Sequence, residues 1–360
     1  MSTLQETRGS LNMASLSRPQ LPSWGPWLVI VVATAMASLI VMLASWSWIA
    51  IPVLAVLLGI VGLPSWSAAV EGRRAAVDRL VTCLVWTSLL VALVPLVWVL
   101  AEVVIKGAPE ISWSFITHDM KQELDPTTYK MVAGAGVAHA LVGTLLITAA
   151  ATIISVPIGL MTAVYLVEYG GGGRLARIVS FLVDVMTGIP SIVAGLFALA
   201  VLALLFGPAF RAGIGGSVAL SLLMLPTVVR SAEEMFRLVP DDLREASYAL
   251  GVPKWLTILR VVLPTALGGL VSGVVLAISR VVGETAPLLV VAGSVDGVNT
   301  DLFSGRMTTI PVYIYEQYSE STPIGYQNAW GGALVLLTVV VVLNLAARII
   351  GRLLAPAGRR

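Results

Sequence analysis

Two charged residues, Arg280 and Glu284, lie four positions apart in the otherwise apolar stretch SRVVGETAPL. In a helix, side chains at i and i+4 share a face, so opposite charges at this spacing contact each other. An ionised group inside a bilayer costs about 2.5 to 3.5 kcal/mol, so such groups usually face a protein interior and have a partner. Two interpretations fit: an anion path, in which the guanidinium binds oxyanions through its forked donors, or a permanent ion pair that joins helices.

The same helical stripe runs backwards from Arg280 through three small residues, Ala277, Gly273 and Gly269. Small residues let helix backbones approach closely within a membrane. The stripe therefore predicts close packing of this segment against other helices.

A second polar set shares one face of a predicted helix and consists of Asp184, Gly188, Ser191 and Gly195. Pro190 interrupts that helix, and Pro287 interrupts the other one just beyond Glu284. Irregular backbone at membrane depth is tolerated where it lines a cavity or is buried in protein. Both sets are therefore candidates for a substrate path.

The elements that position these residues are membrane helices. The chain has 360 residues, of which 58% are hydrophobic and 12% charged, and its mean hydropathy is +0.93. These values exclude an ordinary soluble domain and predict an all-α polytopic membrane protein. About eight apolar runs are long enough to span a bilayer. They lie near residues 27–45, 47–63, 80–101, 137–166, 178–206, 213–229, 267–292 and 330–350.

The predicted organisation has an N-terminal extension of two helices followed by a core of six. Its segments are a polar tail at 1–26, an extra hairpin with a basic loop at 27–79, the first core span and an external loop at 80–136, the remaining core at 137–350, and a basic tail at 351–360. No small-residue cleavage site follows the first apolar run, so we expect a retained helix and not a removed signal peptide.

Lysine and arginine tend to stay in cytoplasmic loops. If the N-terminus is cytoplasmic, sixteen of the 22 basic residues fall in inside segments. Both termini are therefore predicted to be cytoplasmic.

The segment at 230–266 is predicted to form a helix–turn–helix outside the membrane. Pro240 precedes two acidic residues that suit a helix start, and Gly251 followed by Pro253 suits the end of that helix and the start of the next. Each helix has a partly apolar face, with Leu243 on the first and Trp255 on the second. Periodicity alone leaves two interpretations open, a docking element for a partner protein or a helix resting on lipid headgroups.

This segment resembles the EAA motif of ABC importer permeases, in which EAA is followed by three residues, glycine, nine residues, and I-x-LP. The matching residues are Glu245, Ala246, Ser247, Gly251, Val261, Leu263 and Pro264. Ser247 replaces the second alanine and Val261 the isoleucine. The resemblance implies the six-helix fold of type I importers and a coupling helix that inserts into an ATPase subunit.

Three further stretches, TGIPSIVAGLF, RVVGETAPLL and MTTIPVYIY, are similar to the phosphate-specific importer, and GETAPL to its PstA-type subunit. The resemblance covers about residues 80–350 and does not explain the first hairpin. It implies that Arg280 and Glu284 match transport-sensitive residues, and that Arg230 matches a basic residue ahead of the coupling helix. A positive-inside anchor is the other interpretation of Arg230. Thr285 belongs to the GETAPL stretch.

The resemblance also implies partners and a location. They are a PstC-type companion permease, two ATPase subunits that hold ATP and magnesium, an extracytoplasmic phosphate-binding protein, and the plasma membrane of a prokaryote. The chain itself contains no G-x-x-x-x-G-K-[ST] phosphate loop. No cofactor, metal site, catalytic cluster or nucleic acid is expected, since the only histidines, His118 and His139, are isolated from other ligands.

Three rival functions remain at this stage. A permease for sulfate or molybdate would share the fold, although GETAPL argues against it. An ion-driven secondary transporter would share buried charges and broken helices but needs no docking loop. An enzyme acting on lipid phosphate would need a catalytic cluster near the membrane interface, and the sequence contains none that we can identify.

Overall fold

A computed structural model describes residues 21–121, 123–124, 131–132, 136–208 and 210–354. The predicted tails therefore lie partly outside the described residues, including Arg8, Arg18, Arg359 and Arg360, as does Lys130 of the predicted external loop. The chain divides into two compact units, Met1–Ala101 and Glu102–Arg360.

The first unit contains three long helices, α1 (Gly25–Leu43), α2 (Ala50–Val70) and the larger part of α3 (Arg73–Gly107). They are apolar along nearly their whole length, as the hydropathy predicted. The hairpin of α1 and α2 turns through Ser45, whose φ is +53°.

A carboxylate, Glu71, organises the cytoplasmic-side end predicted for this unit. Its oxygens accept the Leu21 backbone N–H at 2.7 Å, the Ser67 hydroxyl at 2.6 Å and the Arg79 guanidinium at 3.1 Å. These bonds, the one from Arg79 foremost, lower the pKa of Glu71 from 4.5 to about 2. One side chain thus joins the segment before α1, the end of α2 and the start of α3.

A cavity of about 810 Å³ lies among α1, α2 and α3, and Thr34, Ile60 and Trp86 are among the residues that line it. None of the predicted path or coupling residues lines this cavity.

The second unit begins within α3 and contains most of the remaining helices. In chain order these are α4 (Trp113–Thr117), α5 (Ala138–Val164), α6 (Arg174–Thr187), α7 (Ser191–Phe206), α8 (Gly213–Arg237), α9 (Asp241–Ala249), α10 (Lys254–Thr257), α11 (Leu263–Val282), α12 (Ala286–Val291), α13 (Ile310–Ser319) and α14 (Pro323–Leu354). A 3-10 turn (Ala108–Glu110) and two π turns (Tyr165–Tyr169 and Ile258–Val262) extend this list. Two-residue strands, β1 (Glu123–Leu124) and β2 (Met131–Val132), pair antiparallel in the loop that was predicted to be external.

The core of this unit surrounds α8, the most deeply buried of the candidate spans among the described residues. Small and hydroxyl side chains bring α8 against α5, as where the Ser217 hydroxyl donates to the Ile147 carbonyl at 3.2 Å. A Cβ added at Gly159 of α5 would lie 2.7 Å from a methyl group of Val228. Close backbone approach of this kind is typical of membrane helices.

The predicted small stripe of α11 is confirmed. A Cβ at Gly273 would lie 2.5 Å from the Ser231 Cβ, and one at Gly269 would lie 2.0 Å from the sulfur of Met235. Ser231 and Met235 belong to α8, so the stripe packs against α8 and not against lipid.

The all-α fold with about eight spans is confirmed within the described part of the chain. Seven helices there are long and apolar enough to cross a membrane, and the number is eight if the pair α6 and α7, bent by 111°, is counted as one span. One predicted span was wrong in its bounds: the span expected at 267–292 is a continuous helix over Lys254–Val282, followed by the separate α12.

Candidate functional site

Arg230, in the last two turns of α8, is the centre of a polar network. Its Nη2 donates to the Asp184 carboxylate at 2.5 Å and to the Ser180 hydroxyl at 2.9 Å, both on α6. Its Nη1 donates to Glu233, one turn further along α8, at 2.5 Å. Glu233 also accepts Arg237 at 2.6 Å. The network contains two cations and two anions, so the charge of Arg230 is neutralised locally.

Burial differs across this network. The side chain of Glu233 is 9% exposed, whereas that of Arg230 is 30% exposed and that of Asp184 is 64% exposed. The Asp184 side of Arg230 is therefore the side open to a competing anion.

Arg280, in the last turn of α11, has an exposed side chain. Its Nη1 donates to the Thr227 hydroxyl of α8 at 3.3 Å. No ion pair involves Arg280 among the described residues. Thr227 lies three residues before Arg230, hence about one turn away on the same face of α8. Arg280 and Arg230 are 50 positions apart in sequence. The structure thus brings Arg280 of α11 into contact with α8 about one turn from Arg230.

The predicted contact between Arg280 and Glu284 is wrong. Helix α11 ends at Val282, Gly283 follows it, and α12 begins only at Ala286. Glycine weakens a helix, and Pro287 has no N–H to continue one. Because Glu284 lies in this break, the i, i+4 geometry on which the ion pair depended does not exist.

The predicted shared face of Asp184 and Ser191 is also wrong. Asp184 lies on α6 and Ser191 begins α7, and these two helices meet at 111°. Pro190 disfavours helical backbone at the residue before it, so the helix ends ahead of Ile189. Asp184 consequently faces Arg230, while Ser191 belongs to the next helix.

The segments that follow the two breaks pack against each other. A Cβ at Gly195 of α7 would lie 2.7 Å from the Cα of Pro287 in α12. Ser191 lies one turn before Gly195, and Thr285 lies two residues before Pro287. The structure therefore brings Ser191 and Thr285 into one region, although they are 94 residues apart in sequence.

The predicted start and end of the first coupling-segment helix are confirmed. Pro240 precedes α9, Asp241 lies in its first turn, and Gly251 follows it with φ +74°. Glu245 and Ala246 are exposed, whereas Ser247 is buried and shares a hydrogen bond of 2.9 Å with the Thr257 hydroxyl.

The second half of that segment differs from the prediction. Lys254 starts a helix that runs without interruption into α11, so the loop between membrane helices is limited to residues 238–253. The π turn Ile258–Val262 comes directly before Leu263 and Pro264. A π turn adds a residue to the helical turn, and this geometry accommodates a proline that cannot donate its backbone bond.

Sequence reasoning missed Thr227, Ser180 and Glu233, which contact the two arginines. The helical spacing of Thr227 and Glu233 around Arg230 was a usable signal. Ser180 and Asp184 share a face of α6, but nothing local indicates which cation they meet.

Metal ligands are not grouped in the described residues, which contain no cluster of three His, Cys, Asp or Glu side chains. His118 is exposed. His139 is buried edge-on against the ring of Tyr313, with centroids 5.6 Å apart.

Comparisons with known proteins give consistent matches. Residues 155–360 match the family described as "Binding-protein-dependent transport system inner membrane component". The chain is 48% identical over 289 residues to the phosphate transport system permease protein PstA 1 of Mycobacterium tuberculosis (strain ATCC 25618 / H37Rv), covering 80% of this chain and 91% of that one. It is 38% identical over 281 residues to PstA of Yersinia pestis, covering 78% and 92%. A chain in a solved inward-facing structure of the MetNI methionine ABC transporter matches with a TM-score of 0.49 and 23% identity, covering 61% of this chain and 95% of that one.

Proposed function

Because the chain belongs to the PstA permeases within the family of binding-protein-dependent transport system inner membrane components, we propose that it conducts inorganic phosphate into a prokaryotic cell as one membrane subunit of an ATP-driven importer. The chain is a transport subunit, and ATP is hydrolysed on a partner ATPase that holds the magnesium.

The observation that supports an anion path most directly is the different pairing of the two arginines. Arg280 is exposed and bonds only the neutral Thr227 hydroxyl among the described residues, so most of its donors are available to an oxyanion. Arg230 is neutralised by Asp184 and Glu233. An anion that binds Arg280 first therefore meets a weaker site at Arg230, which favours release toward the cytoplasm.

The exposure of Arg280 also supports a second membrane subunit. A charged side chain facing hydrocarbon is unfavourable by about 2.5 to 3.5 kcal/mol, so a PstC-type companion that covers this face lowers the energy of the assembly. The path then runs between the two permeases. Ser191, Glu284 and Thr285, at the two helix breaks, contribute hydroxyl and carboxylate groups to this path.

The coupling helix α9 supports docking of an ATPase subunit. Glu245 is exposed on its outward face. The apolar Leu243, and Leu250 just beyond the end of the helix, lie on a different side and are 41% and 83% exposed. Exposed apolar side chains on a helix that also exposes a carboxylate suit a groove on a soluble partner. One ATPase copy on each permease gives two per transporter, and a phosphate-binding protein delivers the anion from outside.

The orientation belongs to the same proposal, with both termini in the cytoplasm. Its support is the asymmetry of basic residues, sixteen of the 22 lying in inside segments. In this orientation Arg230 and α9 lie near the cytoplasmic surface, where the ATPase docks.

The test is phosphate uptake into proteoliposomes that contain this chain, its companion and the ATPase, with binding protein outside and with or without internal ATP. We expect uptake only with ATP. Uptake driven by an ion gradient, with this chain alone, would instead establish a secondary transporter, and ATP-dependent uptake of sulfate or molybdate in preference to phosphate would change the substrate.

Arg280→Gln tests the path within the same assay. Charge-assisted hydrogen bonds contribute about 1.5 to 3 kcal/mol, so we expect uptake to fall about 10- to 150-fold with assembly intact. Arg260→Gln is the matched control, because Arg260 is an exposed arginine on the same continuous helix with no ion pair among the described residues. Loss of assembly in Arg280→Gln alone would mean that Arg280 joins helices.

A further inference from the structure

Arg244, the residue directly before the EAA glutamate, faces inward from α9. Its Nε donates to the Glu168 carboxylate at 3.0 Å, and its Nη2 donates to the Phe236 carbonyl at 2.8 Å. Its Nη1 donates to the Val239 carbonyl at 2.5 Å and to Asp241 at 3.0 Å. The side chains of Arg244 and Glu168 are only 12% and 5% exposed. Arg244 is thus a nearly buried cation whose donors are largely used.

These bonds join three elements of the second unit. Phe236 lies in the last turn of α8 and Val239 just beyond it, Asp241 starts α9, and Glu168 lies in the π turn Tyr165–Tyr169 that ends α5. Arg244 therefore connects the coupling helix to the cytoplasmic-side ends of both α5 and α8, as the proposed orientation places them.

The same π turn holds the other end of the coupling segment. The Lys254 ammonium donates to the Glu168 carbonyl and lies 5.0 Å from the centre of the Tyr169 ring. Glu168 thus contacts the coupling helix through its side chain and the start of the next helix through its backbone. Single π turns are frequent at functional sites.

We propose that Arg244 is a positioning residue that transmits displacement of α9 to α5 and α8 through Glu168 and the Phe236 carbonyl. This inference rests on the proposed function. Separating a buried guanidinium from its carboxylate leaves uncompensated charge, so α9 and the π turn move together when an ATPase moves α9. Helix α8 carries Thr227 and Arg230, so the same displacement reaches the path.

The two faces of α9 have different roles in this proposal, one in docking and one in transmission. Glu245 and Ala246 face outward and are exposed, whereas Arg244 and Ser247 face inward. Docking of the ATPase and transmission of its movement therefore depend on different residues. A substitution on the inward face should impair transmission without impairing docking.

The test compares Arg244→Gln and Glu168→Gln with the wild-type assembly by three measurements. These are ATPase copurification, ATP hydrolysis stimulated by phosphate-loaded binding protein, and the number of phosphate ions imported per ATP hydrolysed. We expect ATPase copurification and ATP hydrolysis to stay within about twofold of the wild-type values. The number of phosphate ions imported per ATP should fall at least about tenfold in both variants, because displacement of α9 no longer reaches α5 and α8.

Arg177→Gln is the control, since Arg177 of α6 is an exposed arginine that forms no ion pair among the described residues and lies outside this set of bonds. Its ratio of phosphate to ATP should match the wild type. An unchanged ratio in both Arg244→Gln and Glu168→Gln would overturn the inference.

Two other outcomes are failure of Arg244→Gln to assemble and absence of phosphate uptake in the wild type. If Arg244→Gln does not assemble, Glu168→Gln decides: a lowered ratio in an intact complex supports transmission, and loss of ATPase binding there too shows a purely structural role and overturns it. Absence of ATP-dependent phosphate uptake in the wild type contradicts the proposed function itself, which is a different failure from an unchanged ratio.

Discussion

On the proposed path, Asp184 is the carboxylate most able to compete with phosphate for Arg230. It lies 2.5 Å from the Arg230 guanidinium and its side chain is 64% exposed, whereas the other partner, Glu233, is buried. Asp184→Asn keeps the size of the side chain and removes its charge. We expect this substitution to make Arg230 retain phosphate more strongly.

The magnitude follows from the exposure of the pair. Ion pairs of this kind contribute about 0.2 to 1 kcal/mol, since water screens them and ordering two side chains opposes them. Removing that competition strengthens phosphate binding at Arg230 about 1.5- to 5-fold. Because Glu233 and Ser180 still hold Arg230, the melting temperature should change by no more than about 4 °C.

The assay is ATP-driven phosphate uptake in proteoliposomes over a range of phosphate concentrations. KM should fall 1.5- to 5-fold, and kcat should fall by a similar factor because a tighter site releases the anion more slowly. Glu234→Gln is the control, because it removes an exposed carboxylate that forms no ion pair among the described residues from α8, the helix that carries Arg230.

A raised KM in Asp184→Asn would refute this reasoning, because Asp184 would then be orienting Arg230 for phosphate and not competing with it. Loss of assembly would refute it too, since Asp184 would then be joining α6 to α8.

Three further perturbations test other parts of the chain. Gly251→Asp places a side chain at φ +74°, a strain of about 1 to 2 kcal/mol, so we expect normal membrane insertion with reduced ATPase copurification, and normal copurification would contradict the turn's role. Gly273→Ala puts a methyl group 2.5 Å from the Cβ of Ser231. The free energy of unfolding should therefore fall by about 1 to 3 kcal/mol, which is measured as a lower melting temperature. Gly268→Ala, which meets open space on the same helix, should not lower it, and equal melting temperatures would refute close packing. Finally, the pKa of Glu71 lies at about 2 instead of 4.5, so its stabilisation is complete above pH 4.5 and is lost as the pH falls toward 2. Wild-type and Glu71→Gln melting temperatures should converge over that range, and a constant difference would exclude this linkage.

The class of the protein and the approximate positions of its spans could be predicted from the sequence. A run of apolar residues long enough to cross a bilayer is a local property, so its helices form wherever the chain packs. The start of α9 after Pro240 and the left-handed Gly251 are local as well, because each depends on the backbone preferences of adjacent residues.

Predictions that extrapolated helical periodicity through a break failed. The face shared by Asp184 and Ser191 assumed that the helix continued past Pro190, and the contact of Arg280 with Glu284 assumed that it continued past Gly283. The break at Pro190 was anticipated, whereas the other one was expected at Pro287, just beyond Glu284, and occurs before Glu284 at Gly283. The direction that the chain takes after a break is not a local property. The 111° bend depends on what the next helix packs against.

The sequence by itself determined the membrane helices, the left-handed turn at Gly251, the small-residue stripe and the charged residues that we propose bind an anion. Only the tertiary structure decided which carboxylate meets which cation: Asp184 and Arg230 are 46 residues apart, and Glu168 and Arg244 are 76 residues apart. Hydropathy and backbone preference act between neighbours in the chain. Ion pairing acts over a few ångströms in space, and helix packing sets those distances.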